Sequence, residues 1–296
     1  MLSQNTIYNK IILGTANLEN QYGFLKSKLK KKEFEKIILT TSHNKSLFID
    51  TAHSYKNAEK IIGKLNSKHK DNLNIISKIP SLNNYQFPEK KILGFVNKSL
   101  KSLKIDKLYG ILLHSSSDLL GKNGALIYNQ LKLLKSKKIV KFIGISAYDK
   151  TQVNKIIKKF QIDIVQIPYS VFDRRFEKYN WMQKIRKKKI QLHIRSIFFQ
   201  GLLTNPIFKK SKNFFFKEKL ELWIKFCQKN NLNYNNAALN FVLKNNNINK
   251  ILIGVKSNEE FLKNLIFKKN LKKLKYPKYL EIKDERLVDL SKIKLY

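Results

Sequence analysis

The chain has 296 residues, 43% of them hydrophobic, which is ample for one large domain with a full core. It contains no run of about 18 apolar residues, so no membrane-spanning helix is expected, and its single cysteine, Cys227, excludes an internal disulfide. The formal charge of +39 is spread along the whole chain, almost all of it Lys with Arg only at 174, 175, 186, 195 and 286, so a base-reading or phosphate-clamping protein, which would favour the bidentate fork of Arg, is not expected.

The start, Met1 to Lys10, is polar and lacks the apolar stretch of a signal peptide, which together with the lone cysteine fits a reduced, cytoplasmic setting. Strand-like apolar runs then alternate with amphipathic, Lys-rich stretches. The expected strands are Lys10–Gly14, Leu47–Thr51, Leu73–Lys78, Leu108–His114, Ile139–Ser146, Ile162–Ile167, Ile190–Ser196 and Ile251–Gly254. The expected helices are Lys31–Thr41, Ala58–Leu65, Pro88–Leu103, Gly124–Ser136, Thr151–Phe160, Tyr179–Lys188, Phe216–Lys229 and Glu259–Phe267, with an extra one at Tyr234–Leu243. Pro88 suits a first helical position, and Ser257 with Glu260 three residues later reads as a capping box. Gln200–Phe215 lacks periodicity and reads as a long loop, and Tyr276–Tyr296 is expected to add a helix from about Lys283.

Eight βα units in about 270 residues predict an α/β fold, a closed (β/α)8 TIM barrel. A doubly wound open sheet would normally carry a glycine-rich turn after its first strand, but Gly14 is followed by Thr15-Ala16-Asn17-Leu18. No linker interrupts the pattern. A single domain over 1–296 is expected, with a core at about 10–270 and a C-terminal extension at 271–296.

Asp50 and Tyr55 follow the second strand, Lys78 ends the third and His114 ends the fourth. In a parallel barrel the carboxyl ends of the strands converge on one face, where chemistry is done. An acid, a phenol, an amine and an imidazole gathered there make a proton-donating device.

The string Asp50-Thr51-Ala52-x-x-Tyr55-x-x-Ala58-Glu59-x-x-x-Gly63 closely resembles the aldo/keto reductase family. The likeness continues through Ser77-Lys78, Leu112-Leu113-His114, Lys141-x-Ile143-Gly144-Ile145-Ser146 and Asp163-x-Val165-Gln166-x-Pro168. It runs on through Arg195-Ser196-x-Phe198-x-Gln200-Gly201 and Ile253-Gly254-Val255-Lys256-Ser257. The resemblance implies reduction of an aldehyde or ketone by NADPH or NADH, without a metal. It implies Tyr55 as the proton donor and Lys78 as the cation that makes the phenol a better acid. Asp50 would hold Lys78 charged, and His114 would orient the carbonyl oxygen.

The resemblance also implies a cofactor site. Ser146 and Gln166 would hold the nicotinamide carboxamide, with Gly14, Thr15 and Asp50 close by. Arg195 stands where the family commonly stacks a Tyr on the nicotinamide, and a guanidinium can also stack. Ser196, Phe198 and Gln200 would line the pyrophosphate path. Lys256 and Ser257 suit an adenosine phosphate at the N-terminus of the last barrel helix. Glu260, four residues before Asn264, stands where NADPH-preferring members usually have Arg. A carboxylate repels a 2′-phosphate and accepts from a 2′-hydroxyl, so use of both NAD(H) and NADP(H), or a lean toward NADH, is expected.

The expected partner is a small-molecule carbonyl substrate: a small aldehyde, an aldose or a keto-sugar. His53 could line its pocket, and Phe172-Asp173-Arg174-Arg175 either offers charge to a polar or anionic substrate or pairs within itself on the barrel rim. Neither a specific nucleic acid nor a membrane is expected as partner, and the sequence does not set the oligomeric state. The alternative function is a cofactor-binding regulatory or sensor subunit with little turnover, as in the potassium-channel β subunits.

Overall fold

The computed structural model describes residues 4–42, 46–69, 73–206, 216–266 and 274–289. Its elements in order are α1 (Gln4–Lys10), β1 (Ile11–Gly14), α2 (Lys31–Ser42), β2 (Leu47–Asp50), α3 (Ala58–His69) and β3 (Leu73–Ile79). Next come α4 (Pro88–Leu103), β4 (Leu108–Leu113), α5 (Gly124–Ser136), β5 (Val140–Ser146), α6 (Lys150–Lys159) and β6 (Ile164–Pro168). The chain continues through α7 (Trp181–Lys187), β7 (Gln191–Arg195), α8 (Lys217–Lys229), α9 (Tyr234–Leu243), β8 (Lys250–Ile253), α10 (Asn258–Leu265) and α11 (Glu285–Val288). The eight strands pair in parallel in sequence order, and β8 closes against β1, so the fold is the expected (β/α)8 barrel.

Alternation along each strand divides the core into two layers. On β1, Ile11 and Leu13 face the helices while Ile12 points inward to join Ile76, Leu112, Ile164 and Leu252. Phe48, Tyr109 and Phe142 pack against that inner cluster, with Tyr109 edge to face on both Phe48 and Phe142. Burial on both faces is why these strands read as continuous apolar runs rather than alternating ones.

Helix ends follow local chemistry. Asp149 accepts from the Thr151 N–H at the start of α6, and Asn233 accepts from Asn235 and Asn236 at the start of α9. α4 opens with Pro88, buries Ile92, Val96 and Leu103 on one face, and stops where Lys104 turns left-handed at φ 54°.

Three elements differ from the expectation. The start, for which no element was expected before Lys10, folds into α1, which buries Ile7 and Tyr8. The barrel helix after β6, α7, begins at Trp181 because Tyr179 and Asn180 adopt left-handed φ of 61° and 55°, which breaks the helical run expected from Tyr179. The last helix is a single turn, Glu285–Val288, rather than a helix from about Lys283. Of the expected loop Gln200–Phe215, residues 207–215 lie outside the described residues, as do 290–296 of the tail. Among the described residues, no helix is long and apolar enough to cross a membrane.

The packing of α3 on α4 depends on Gly63. A Cβ there would meet the Ser102 carbonyl oxygen well inside van der Waals contact and the Leu103 backbone at 2.8 Å. Backbone cannot move aside as a side chain can. Gly63→Ala is therefore expected to destabilise by about 3 kcal/mol, the upper range for overpacking, read as a lower urea midpoint. An unchanged midpoint would refute this account of the α3–α4 contact.

Candidate active site

The carboxyl end of β2 delivers Asp50, and the neighbouring β3 delivers Lys78, both only 2% exposed. The Lys78 ammonium donates to Asp50 Oδ1 and to the Thr51 carbonyl at 3.0 Å. The other carboxylate oxygen of Asp50 accepts from Gln166 Nε2 at 2.9 Å, across the barrel from β6. The Thr15 hydroxyl donates to the Asp50 carbonyl at 2.9 Å. Four strand ends are thus drawn together around one buried ion pair.

Tyr55 reaches the pair from a tight turn. Its N–H donates to the Ala52 carbonyl at 2.9 Å, and its carbonyl accepts from Ala58 N–H at 2.8 Å, where α3 begins. The Lys78 ammonium lies 5.2 Å from the centre of the Tyr55 ring. His114 stands edge to face with Tyr55, ring centres 6.0 Å apart, and its Nδ1 is 3.5 Å from the Ser54 hydroxyl. The four residues singled out at the strand ends are therefore one cluster.

Burial sets the charge states. It holds the Tyr55 phenol well above its ordinary value, and the Asp50 charge pushes in the same direction. Burial outweighs the pull of the nearby Arg195 charge, which acts in the opposite direction. Burial also draws Lys78 downward, opposed by Asp50. His114 is pushed down to about 4 by burial, then by Lys78 and Arg195, so at neutral pH it is an uncharged hydrogen-bond donor.

A cavity of about 790 Å³ opens beside this cluster. Gly14, Thr15, Asp50, Tyr55 and Gln166 line one part of it. Arg195, Ser196, Phe198 and Gln200 line the wall after β7, and Lys256, Ser257, Glu260 and Asn264 the wall after β8. Of the residues assigned to a cofactor, only Ser146 stays off the wall. It is buried beside Gln166, its register partner on β6. The cavity also takes in Asn17, Tyr22 and Asn236, which sequence reasoning missed because none belongs to a strand end or a motif.

A matching sequence model fixes the relationship: that of the Aldo/keto reductase family covers residues 10–281. The chain belongs to the aldo/keto reductase family. Solved structures agree at the level of fold. An aldo-keto reductase from Bacillus halodurans in its holo form superposes with a TM-score of 0.70 at 17% identity, over 94% of this chain and 90% of the other. A putative aldo-keto reductase from Pseudomonas aeruginosa gives 0.62 at 16% identity, over 89% of both chains. No curated protein sequence matches.

Tested against this aldo/keto reductase site, a nicotinamide dinucleotide fits the donors present. Gln166 Oε1 is buried without a partner, and so are both amide atoms of Asn264, which is 1% exposed. Such groups are costly unless a ligand satisfies them. Glu260 is less free than its place in the sequence suggested. Its N–H is capped by the Ser257 hydroxyl at 3.1 Å, and its Oε2 accepts the Lys256 N–H at 2.8 Å. One carboxylate oxygen is thereby committed to the helix start.

Two other expectations resolve away from the cavity. His53 turns edge to face onto Phe95 at 5.0 Å and lies 3.9 Å from Glu59, so it packs on α4 instead of lining the pocket. Asp173 is held bidentate by Arg175 at 3.0 Å, and Arg174 donates to the Val171 and Pro277 carbonyls. The segment after β6 pairs within itself and clamps the C-terminal stretch.

His193, deep in the barrel, supplies a pH signature for the family member. Burial pushes it down to about 3. Below pH 6.5 the unfolded chain takes up a proton that the folded chain refuses, so stability falls as pH drops. The loss from this group between pH 6.5 and 5 is expected to be about 2 kcal/mol, with His114 adding in the same direction. Urea midpoints across that range should fall less steeply in His193→Gln, and an identical slope would contradict the buried neutral state.

Proposed function

We propose that the chain is an NAD(P)H-dependent oxidoreductase that transfers hydride between a nicotinamide cofactor and a carbonyl, with Tyr55 as proton donor. The observation that carries this is the buried Asp50–Lys78 pair beside the Tyr55 ring, at the edge of a cavity with orphaned amides. The substrate class is a small aldehyde, an aldose or a keto-sugar.

When bound, the reduced nicotinamide supplies the hydride to the carbonyl carbon. Gln166, Asn264, Ser257 and Lys256 would hold the cofactor along the cavity wall. Neutral His114 donates a hydrogen bond to the carbonyl oxygen and sets its direction. Negative charge grows on that oxygen as hydride arrives, and Tyr55 delivers its proton there. A phenol held above its ordinary pKa suffices, because an alkoxide is a far stronger base than a phenolate. The raised value also keeps Tyr55 protonated throughout the neutral range. Lys78 sits where its charge stabilises the phenolate left behind, and Asp50 keeps that charge in place.

Tyr55→Phe is expected to cut kcat by about 1,000-fold, within the usual range for loss of a general acid. NADPH binding, followed by quenching of protein fluorescence, should be retained. Turnover near the wild-type level would remove Tyr55 from the role. Oxidation of NADPH and NADH should be supported to comparable extents, with any lean toward NADH. A preference for NADPH above about tenfold, some 1.4 kcal/mol, would rule out that lean.

A further inference from the structure

The inference concerns Arg195 and rests on the oxidoreductase reading above. Arg195 ends β7 and lines the large cavity. It also lines a small recess beside it, shared with Tyr22, Tyr148, Asp173 and Val288. The centre of its guanidinium lies over the Tyr148 ring, 3.9 Å from the ring centre. The guanidinium's one protein hydrogen bond among the described residues is long, from Nη2 to the Ala147 carbonyl at 3.5 Å. Among the described residues it makes no salt bridge. Asp173, the carboxylate in the recess, is taken by Arg175. Lys78, the other cation of the cluster, is neutralised by Asp50. Among the described residues Arg195 is thus a cation at the cavity wall with N–H groups to spare and no carboxylate in contact; the Asp173 carboxylate, whose ionised form its charge favours, is gripped by Arg175. Its field reaches Tyr55 and His114, the groups that would face the carbonyl oxygen.

We propose that Arg195 is an anion subsite beside the reacting carbonyl, so that the preferred substrate is an aldehyde or ketone bearing a carboxylate or a phosphate. The contact with Tyr148 holds the guanidinium in place and leaves N–H groups to meet an anion, a role in which Arg exceeds Lys. The subsite lies after β7, whereas the Arg174–Arg175 pair considered from the sequence is occupied within the protein. The reaction is unchanged: the carbonyl carbon gains hydride from NAD(P)H, the oxygen gains a proton from Tyr55, and NAD(P)+ leaves. The anionic group stays on the product.

The test compares matched substrates that differ in the anion: 4-oxobutanoate against butanal, and glyceraldehyde 3-phosphate against glyceraldehyde. Each kcat/KM is measured in wild type, Arg195→Gln and Arg195→Lys, with folding checked by circular dichroism. Ratios within one protein cancel any common effect of the substitution on cofactor binding. Wild type is expected to favour the anionic member of at least one pair by about tenfold or more, the discrimination a charge-assisted contact supports. Arg195→Gln should bring that ratio to near unity, and Arg195→Lys should retain part of it. The pair that responds tells carboxylate from phosphate. Equal use of both members by wild type overturns the proposal. So does a preference that survives in Arg195→Gln, because it would then belong to the overall charge of +39. If no carbonyl is turned over by any of the three proteins, the oxidoreductase reading fails separately. The subsite is then judged by titration calorimetry with succinate and with inorganic phosphate. Binding lost in Arg195→Gln supports it, and no binding in wild type refutes it.

Discussion

The site depends on one buried ion pair. Taking the Lys78 ammonium and the Asp50 carboxylate out of water costs several kcal/mol for each ion, which their mutual attraction offsets only if the remaining hydrogen-bonding positions are also filled. Here the barrel fills two of them. The Thr51 carbonyl takes a second Lys78 proton, and Gln166 donates to the second Asp50 oxygen. The pair itself joins β2 to β3, and these partners belong to the segment just after β2 and to β6, so the pair is satisfied only when the barrel is closed. Fold and chemistry are therefore coupled: the interaction that would tune a proton donor also fastens opposite sides of the barrel mouth.

The charge states of the surrounding groups follow from the same dryness. A phenol, an imidazole and an ammonium are each driven toward their uncharged forms by burial, and only Lys78 has an acid in contact to resist. The result is a division of labour without a metal cluster among the described residues. One charged pair sits at the base, with two neutral groups able to donate hydrogen bonds above it. Neutral donors aimed at a growing negative charge lose no proton before the reaction needs it.

Much of this was legible in the sequence, for physical reasons. The strands could be read because they are buried on both faces and so consist of short runs of Ile, Leu and Val. Asp50, Tyr55, Lys78 and His114 could be read because polar residues ending such runs have one place to go, the barrel mouth. Other features were not legible. α1 spans only seven residues with no cap signal, and its burial of Ile7 and Tyr8 depends on the barrel above it. The break at Tyr179–Asn180 is a left-handed pair that composition does not announce. The capping box at Ser257–Glu260 was readable, but not that it engages the carboxylate assigned to a ribose. Tyr22 and Tyr148 came to the site through loops, where spacing carries no information about distance.

The basic residues add a last point about which chemistry cannot be exchanged. Lys occupies nearly every basic position of this chain, and on an exposed helix face the two cations are close to equivalent. Three of the five arginines occupy buried or half-buried positions where they are not, and a fourth, Arg286, makes a two-nitrogen grip on Asp284 at the exposed surface. Arg174 divides its donors among the carbonyls of Val171, Tyr276 and Pro277 and lies over Phe241. Arg175 grips Asp173 with two nitrogens at once. Arg195 lies over the Tyr148 ring. Arg174 and Arg175 use several fixed N–H directions at once, which a lysine does not offer. In a chain whose charge is otherwise diffuse, the planar cations mark the structured parts of the electrostatics: two tie the barrel rim to the C-terminal segment, and the third faces the cavity.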